Sequence, residues 1–279
     1  MQEFPLTGEI DFGNVQESLE RIRSKVLPAD QSSNILRRIL SFLDFTSLEG
    51  SDNPEKIILF CRKALSFKDQ GLPVPAAVCV YPPFIGTARK VLTGTGIRVA
   101  TTAAAFPSGQ LPLSLKLGEI RYAVEEGADE IDVVISRGTF LEGNFQELLY
   151  ELESMRSAAA TKTLKVILET GELKNFENIA KASELAIRAG ADFIKTSTGK
   201  SAPAATPEAV FVMVHVINQY YLRTGKMIGI KPAGGIADAE SALFYYNIVK
   251  EIAGESWLSP DLFRIGASRL ADQITGLLL

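Results

Sequence analysis

Residues 191–200 of the chain read Ala-Asp-Phe-Ile-Lys-Thr-Ser-Thr-Gly-Lys. A short apolar strand ends on Lys195, a loop of small residues follows, and Lys200 comes directly after that loop. Burying an unpaired ammonium group is costly. A lysine at this position therefore either extends to solvent or has a shifted pKa and takes part in chemistry. The residues around the segment have to decide between these two interpretations.

Apolar strand-like runs alternate with helical stretches on both sides of this segment. Because the runs are apolar on both faces, they are typical of parallel strands covered by helices. Eight such units favour a closed (β/α)8 barrel over an open doubly wound sheet, and no GxGxxG turn follows the first strand. The predicted strands are 40–44, 76–81, 97–101, 130–135, 165–169, 192–195, 228–231 and 262–266. The predicted helices lie near 53–69, 83–92, 114–126, 142–159, 175–189, 206–223, 238–253 and 268–277.

Composition and patterning set the domain organisation. We expect a helical N-terminal extension over residues 1–38 and a single barrel domain over 39–279. With 46% hydrophobic residues and a net charge of -4, the chain is typical of a soluble globular protein and lacks the basic surface that nucleic acids require. The first residues resemble no signal peptide, and no apolar run is long enough to span a membrane. We therefore expect a cytoplasmic protein without a membrane partner.

Cysteine and histidine are scarce. The two cysteines, Cys61 and Cys79, lie in different predicted elements, and His215 is the single histidine. This spacing fits neither a disulfide framework nor a zinc site, so no metal or cofactor is expected. His215 falls in an apolar helix that packs against the barrel or against a second copy of the chain. The oligomeric state stays open, with a homodimer as the candidate assembly.

Two lysines and a carboxylate lie at strand ends, where this fold builds its active site. Lys195 and Lys231 end neighbouring strands, and Asp132 lies within an apolar strand. A lysine must lose its proton to attack a carbonyl group, and a nearby cation and apolar surroundings both lower its pKa. Asp132 would then move protons, directly or through water. The alternative is a buried salt-bridge network with no catalytic role.

Three further side chains are expected near this site. Asp44 either binds a substrate hydroxyl or braces neighbouring loops. Glu169 is expected to act as an electrostatic partner of a lysine. Cys79 is interpreted as a core residue rather than a nucleophile.

Small residues after strands six, seven and eight predict a phosphate site. They expose backbone N–H groups, and helix N-termini add partial positive charge. The loops after strands seven and eight are the usual phosphate position in a (β/α)8 barrel. The candidate residues are Thr198, Gly199, Lys200, Gly234, Gly235, Gly266 and Ser268.

Four motifs, at 191–200, 229–235, 130–134 and 168–172, resemble those of the deoxyribose-phosphate aldolase family, and the resemblance covers about 40–270. It implies a metal-independent class I aldolase that cleaves 2-deoxy-D-ribose 5-phosphate reversibly to D-glyceraldehyde 3-phosphate and acetaldehyde, in deoxyribose phosphate catabolism. By motif, Lys195 resembles the Schiff-base lysine, Lys231 the lysine that tunes it and Asp132 the proton-relay carboxylate.

The chain departs from the family pattern in its anion loops. Ile236 and Ala237 stand where many members carry an arginine, and Arg269 stands where a second serine is common. Residues 104–108 lack an asparagine and a histidine found in some members, and the sequence ends without their tyrosine-bearing tail. Two other functions stay open. One is a lysine-dependent barrel aldolase with a longer ketose substrate, and the other is a catalytically silent phosphosugar-binding barrel.

Overall fold

Eight short parallel strands form one sheet, in which each strand pairs with the next along the chain, except that the eighth pairs with the first. Isolated bridges from Ile230 to Phe263 and from Ala233 to Gly266 join the seventh strand to the side of the eighth, which closes the barrel. The structure, a computed structural model, describes residues 12–279. It confirms the predicted (β/α)8 fold. The strands are β1 (Leu43–Thr46), β2 (Ala77–Val80), β3 (Arg98–Ala103), β4 (Glu130–Val134), β5 (Thr163–Ile167), β6 (Phe193–Lys195), β7 (Gly229–Lys231) and β8 (Ile265–Ala267).

Helices form the layer around the strands. Asn53 and Thr206 cap two of them by accepting the backbone N–H of Lys56 and Ala209, and a proline follows each cap. Within residues 12–279, no helix is both long and apolar enough to cross a bilayer. The helices are α1 (Val15–Arg23), α2 (Ser33–Ser41), α3 (Pro54–Asp69), α4 (Ile85–Leu92), α5 (Leu113–Glu125), α6 (Arg137–Leu141), α7 (Phe145–Ala158), α8 (Phe176–Arg188), α9 (Pro207–Thr224), α10 (Ala239–Ala253) and α11 (Arg269–Leu278).

Two helices precede the barrel and pack on its outer layer. α1 buries Val15, Leu19 and Ile22 on one face, against α9 and α10. α2 contacts α10 and α11. Residues 1–11 of the predicted extension lie outside the described residues, and the division at residue 38 stays a prediction.

Several predicted elements differ from the structure in their bounds. β1 begins at Leu43 rather than at residue 40, because Leu36, Ile39 and Leu40 form the buried face of α2. The predicted helix 142–159 is observed as α7, and a short helix that was not predicted, α6, precedes it across a turn in which Gly143 has a φ of +82°. β5 spans Thr163–Ile167 instead of 165–169, so Glu169 follows the strand rather than ending it.

Candidate active site

Lys195 and Lys231 lie side by side in the barrel and contact the same carboxylate oxygen. The two residues are register partners on β6 and β7. The Nζ atom of Lys195 lies 2.8 Å from Oδ2 of Asp132, and the Nζ atom of Lys231 lies 2.7 Å from that oxygen. Asp132 and Lys231 are fully buried, and Lys195 is 3% exposed. The structure thus brings together the two lysines and the carboxylate that the sequence singled out.

Sequence reasoning missed a second layer of charges beneath these three residues. Lys165 is the register partner of Asp132, and its Nζ atom lies 2.9 Å from Oδ1 of Asp132 and 2.5 Å from Oε2 of Glu130. Arg264 lies 2.7 Å from Glu130 and 2.5 Å from Asp44. The signal was present, because Glu130 and Asp132 are two residues apart in an apolar strand and therefore share a face.

The surroundings of Lys195 favour its neutral form. Burial lowers the pKa of the Lys195 ammonium group, the charge of Asp132 opposes that effect, and the charge of Lys231 lowers the pKa further. The net direction is a lowered pKa. For Asp132, burial alone would raise the pKa, but Lys165, Lys195 and Lys231 hold it well below its usual range. The site therefore favours a neutral amine next to an ionised carboxylate.

Asp44 lies below the site rather than at its entrance. It is the second residue of β1, fully buried, and forms ion pairs with Lys231, Arg264 and Lys165. Its side chain does not line the cavity above Lys195. Of its two predicted roles, this position favours bracing, here of charged side chains rather than of loops.

Neither Cys79 nor His215 is placed to act in catalysis. Cys79 is fully buried, and burial raises the pKa of its thiol to about 11 despite the nearby lysines. His215 lies on α9 in the outer layer, and its Nδ1 atom lies 2.9 Å from the carbonyl oxygen of Phe211.

The Glu169 carboxylate binds the loop that follows β6. Its ion-pair partner is an arginine rather than the expected lysine. Its carboxylate accepts the backbone N–H of Thr198 at 3.1 Å and the hydroxyl of Thr198 at 2.5 Å. It also forms a 3.3 Å ion pair with Arg137. The chain turns sharply after β5, where Glu169 has a φ of +55°, and this turn aims the side chain at Thr198.

A cavity of about 370 Å³ opens above Lys195. Gly199 and Gly234, both with positive φ, bring the β6 and β7 loops together at its wall. A Cβ atom on Gly234 would lie 2.8 Å from the Cα atom of Gly199, so only glycine fits there. Every predicted phosphate-site residue lines this cavity, together with Arg269.

Charged side chains at the cavity rim include one that the sequence did not suggest. The Nζ atom of Lys200 lies 3.2 Å from Oε1 of Glu49, a second rim residue. Arg269, in the first turn of α11, also lines the cavity. Arg269 thus places a positive charge at this wall, although Ile236 and Ala237 stand where many family members carry an arginine.

The strand predicted over 262–266 begins later in the structure. Ile265–Ala267 forms β8, and Arg264 lies before the strand, at the opposite end of the barrel from the cavity. Gly266 is needed for close packing, since a Cβ atom there would lie 2.8 Å from Cβ of Ala233 and 3.2 Å from Cε of Lys231.

A (β/α)8 barrel with a buried lysine pair beneath a cation-lined cavity defines an enzyme of the aldolase class. The sequence model of a protein family, the DeoC/LacD family aldolases, matches residues 43–255, and the chain belongs to this family.

Three relatives illustrate the family relationship. Deoxyribose-phosphate aldolase from Homo sapiens is 45% identical over 252 residues, which cover 86% of this chain and 79% of the relative. The enzyme of the same name from Mus musculus is 44% identical over 252 residues, with the same coverage. A tetrameric deoxyribose phosphate aldolase from Aeropyrum pernix superposes with a TM-score of 0.67 at 25% identity, over 93% of this chain and 96% of that one.

Proposed function

We propose that the protein is a class I aldolase that cleaves 2-deoxy-D-ribose 5-phosphate reversibly to D-glyceraldehyde 3-phosphate and acetaldehyde. One observation carries the proposal: Lys195 lies at the floor of the cavity, and Lys231 binds the same oxygen of Asp132. The family membership supports the substrate class. The reaction would proceed through a lysine Schiff base without a metal ion.

Schiff-base formation begins with the neutral amine of Lys195. It attacks C1 of the open-chain aldehyde and forms a carbinolamine. Loss of water from this adduct requires a proton at the leaving hydroxyl group. The Lys231 ammonium group is the proton donor beside Asp132, since burial lowers its pKa but Asp132 and Asp44 together raise it above its usual value. Asp132 and a water molecule can pass the proton on.

Carbon–carbon cleavage follows from the iminium. The C3 hydroxyl loses its proton and becomes the carbonyl of the leaving aldehyde as the C2–C3 bond breaks. The electron pair of that bond forms the C1=C2 double bond, and the C=N π pair moves to nitrogen. D-Glyceraldehyde 3-phosphate leaves, and the enamine of acetaldehyde stays on Lys195. Protonation of the enamine at C2 and hydrolysis of the new iminium then release acetaldehyde and restore the amine.

The cavity rim suits the phosphate group. Lys200 and Arg269 supply positive charge, and the loops at Gly199 and Gly234 are turned so that backbone N–H groups can face an anion. Ser268 precedes α11, whose N-terminus adds partial positive charge. Phosphate held here would place C1 of the extended sugar over Lys195.

Reductive trapping tests the proposal. The protein is incubated with acetaldehyde and cyanoborohydride, digested and examined by peptide mass spectrometry. We expect an ethyl adduct on Lys195 in the wild type and no adduct at that position in Lys195→Leu. Lys200 is the matched internal control, because it lines the same cavity and is more exposed. Stoichiometric labelling of Lys200 instead of Lys195 would contradict the mechanism.

Product analysis distinguishes the other two functions. Release of acetaldehyde from 2-deoxy-D-ribose 5-phosphate is expected, whereas fructose 1,6-bisphosphate should give no product. A silent binding barrel would be stabilised by the phosphosugar without turnover. A cytoplasmic location and a homodimer stay predictions, and light scattering on the purified chain measures the assembly.

A further inference from the structure

The buried charges inside the barrel do not balance. Contacts within 4 Å link seven side chains that are at most 3% exposed in the described part of the chain. Three are carboxylates and four are cations when every group is ionised. The members are Asp44, Glu130, Asp132, Lys165, Lys195, Lys231 and Arg264. The cluster is electrically neutral only when one lysine gives up its proton.

The contacts show which lysine this is. Lys165 contacts three carboxylates, at 2.5, 2.9 and 3.4 Å. Lys231 contacts two, Asp44 and Asp132. Lys195 contacts only Asp132, on the oxygen that Lys231 also binds. Arginine does not deprotonate in proteins, so the excess proton leaves Lys195, the cation with the fewest carboxylate partners.

Glu130 and Arg264 take part in this balance from the far end of the barrel. They line a cavity of about 320 Å³ together with Thr163 and Phe193, which begin β5 and β6. The substrate cavity lies at the opposite ends of these strands. Neither residue touches Lys195, and each reaches it only through intervening ion pairs.

One more charge approaches the cluster from solvent. Arg98 lies 3.4 Å from Glu130, but its side chain is 40% exposed and it also contacts Asp261 at 2.5 Å. That exposed carboxylate offsets the charge of Arg98. The charge balance inside the barrel is therefore unchanged.

We propose that Glu130 and Arg264 are positioning residues that set the protonation state of Lys195 through the charge balance of the buried cluster, Arg264 favouring the neutral amine and Glu130 the ammonium form. The inference rests on the proposed Schiff-base function of Lys195. It predicts that removing a distal cation restores the proton to Lys195 and that removing a distal carboxylate has the opposite effect. A purely structural ion-pair network predicts no such pair of opposite responses.

The pKa directions agree with this assignment. Burial acts against the charged form of every member, yet the partners hold the pKa of Asp44 and Glu130 below, and those of Lys165 and Arg264 above, their usual values. Among the cluster's cations, Lys195 is the one whose pKa is lowered.

Titratable groups face Lys195 from several elements. Asp132 and Lys231 act on it directly through their charges, and the Cys79 thiol also faces it. Lys165 and Asp44 lie one ion pair further away. Glu49, Lys200 and Arg269 face the same cavity from the exposed rim, where solvent screens their charges.

The experiment compares the pH dependence of Lys195 trapping in five proteins: the wild type, Arg264→Gln, Glu130→Gln, the double variant and Arg264→Lys. Acetaldehyde is the probe, because a phosphorylated substrate would add its own ionisation near pH 6. The pH response of cyanoborohydride is common to all five and cancels in the differences. Arg264→Lys keeps the charge and serves as the matched control.

At an effective dielectric constant of about 20, a charge two ion pairs away shifts the pKa by about one unit. We expect the trapping midpoint to rise by about one pH unit in Arg264→Gln and to fall by about one in Glu130→Gln. The double variant and Arg264→Lys should return to the wild-type midpoint.

Shifts of the same sign in both single variants, or unshifted midpoints, would overturn the inference. If Arg264→Gln does not fold, the trapping midpoints of Glu130→Gln and the double variant can still be compared. Their difference gives the sign of the effect of Arg264 on Lys195. Failure of the proposed function looks different, since the wild type would then form no Lys195 adduct at all.

Discussion

Replacing Lys231 by leucine should raise the pKa of Lys195 by about two units or more. Both Nζ atoms contact Oδ2 of Asp132, at 2.8 Å for Lys195 and 2.7 Å for Lys231. Two unit charges about 5 Å apart, at an effective dielectric constant of about 20, repel by about 3 kcal/mol, which corresponds to about two pKa units. The loss of Lys231 also leaves Asp132 with one cation fewer. That change stabilises the Lys195 ammonium group and raises its pKa further.

The sign of the pH dependence follows from the amine. Only neutral Lys195 attacks a carbonyl, so the rate falls as the pH drops below its pKa. A raised pKa moves this acid limb to higher pH. When the pKa is about two units higher, the trapping rate on the acid limb, below both pKa values, should fall about 100-fold and recover in alkaline buffer.

The assay is the pH dependence of cyanoborohydride trapping with acetaldehyde, read by peptide mass spectrometry on Lys195. Lys231→Arg is the charge-preserving control and should leave the midpoint near that of the wild type. Circular dichroism checks folding, which Lys165 supports because it still contacts Asp132 and Asp44. An acid limb in Lys231→Leu that coincides with the wild type would refute the electrostatic role of Lys231, even if the rate is lower.

Three further changes test the cavity. Arg269→Ala should raise the KM for the 5-phosphate about five-fold and leave that for unphosphorylated 2-deoxyribose unchanged, which paired steady-state assays measure. Glu49→Gln releases Lys200 and should lower the KM for the 5-phosphate by up to about five-fold at constant kcat, whereas a higher KM would contradict a competing role for Glu49. Gly266→Ala crowds Cε of Lys231, so the free energy of unfolding should fall by about 1–3 kcal/mol. A lower melting temperature and a lower kcat are both expected.

The alternation of strands and helices was predictable because local signals mark it. A helix was predicted over 53–69, and the structure has it over Pro54–Asp69 with Asn53 as its cap. Strand 130–135 is observed as Glu130–Val134. β1 was misplaced because a short apolar run fits a buried helix face as well as a strand, and only packing on α10 and α11 decides between them.

The lower half of the charge cluster was not predictable in the same way. Lys165 and Asp132 are 33 residues apart and meet because β4 and β5 pair in one register out of several. Arg264 precedes an Ile-Gly-Ala-Ser run that resembles an anion loop, and only the start of β8 at Ile265 places it at the far end. Lys195 and Lys231 were easier to assign to the site, because each ends a strand and a (β/α)8 barrel brings the C-terminal ends of its strands together.

A structural salt-bridge network and a catalytic amine are not rival interpretations of this barrel. The pairs of Arg264 with Asp44 and Glu130 satisfy buried charges as a structural network must. A network with equal numbers of each sign would hold every lysine protonated, and no nucleophile would result. In this network the cations outnumber the carboxylates by one, and Lys195, the lysine with the fewest ion-pair partners, lies under the cavity. The network that satisfies the buried charges therefore also keeps Lys195 neutral.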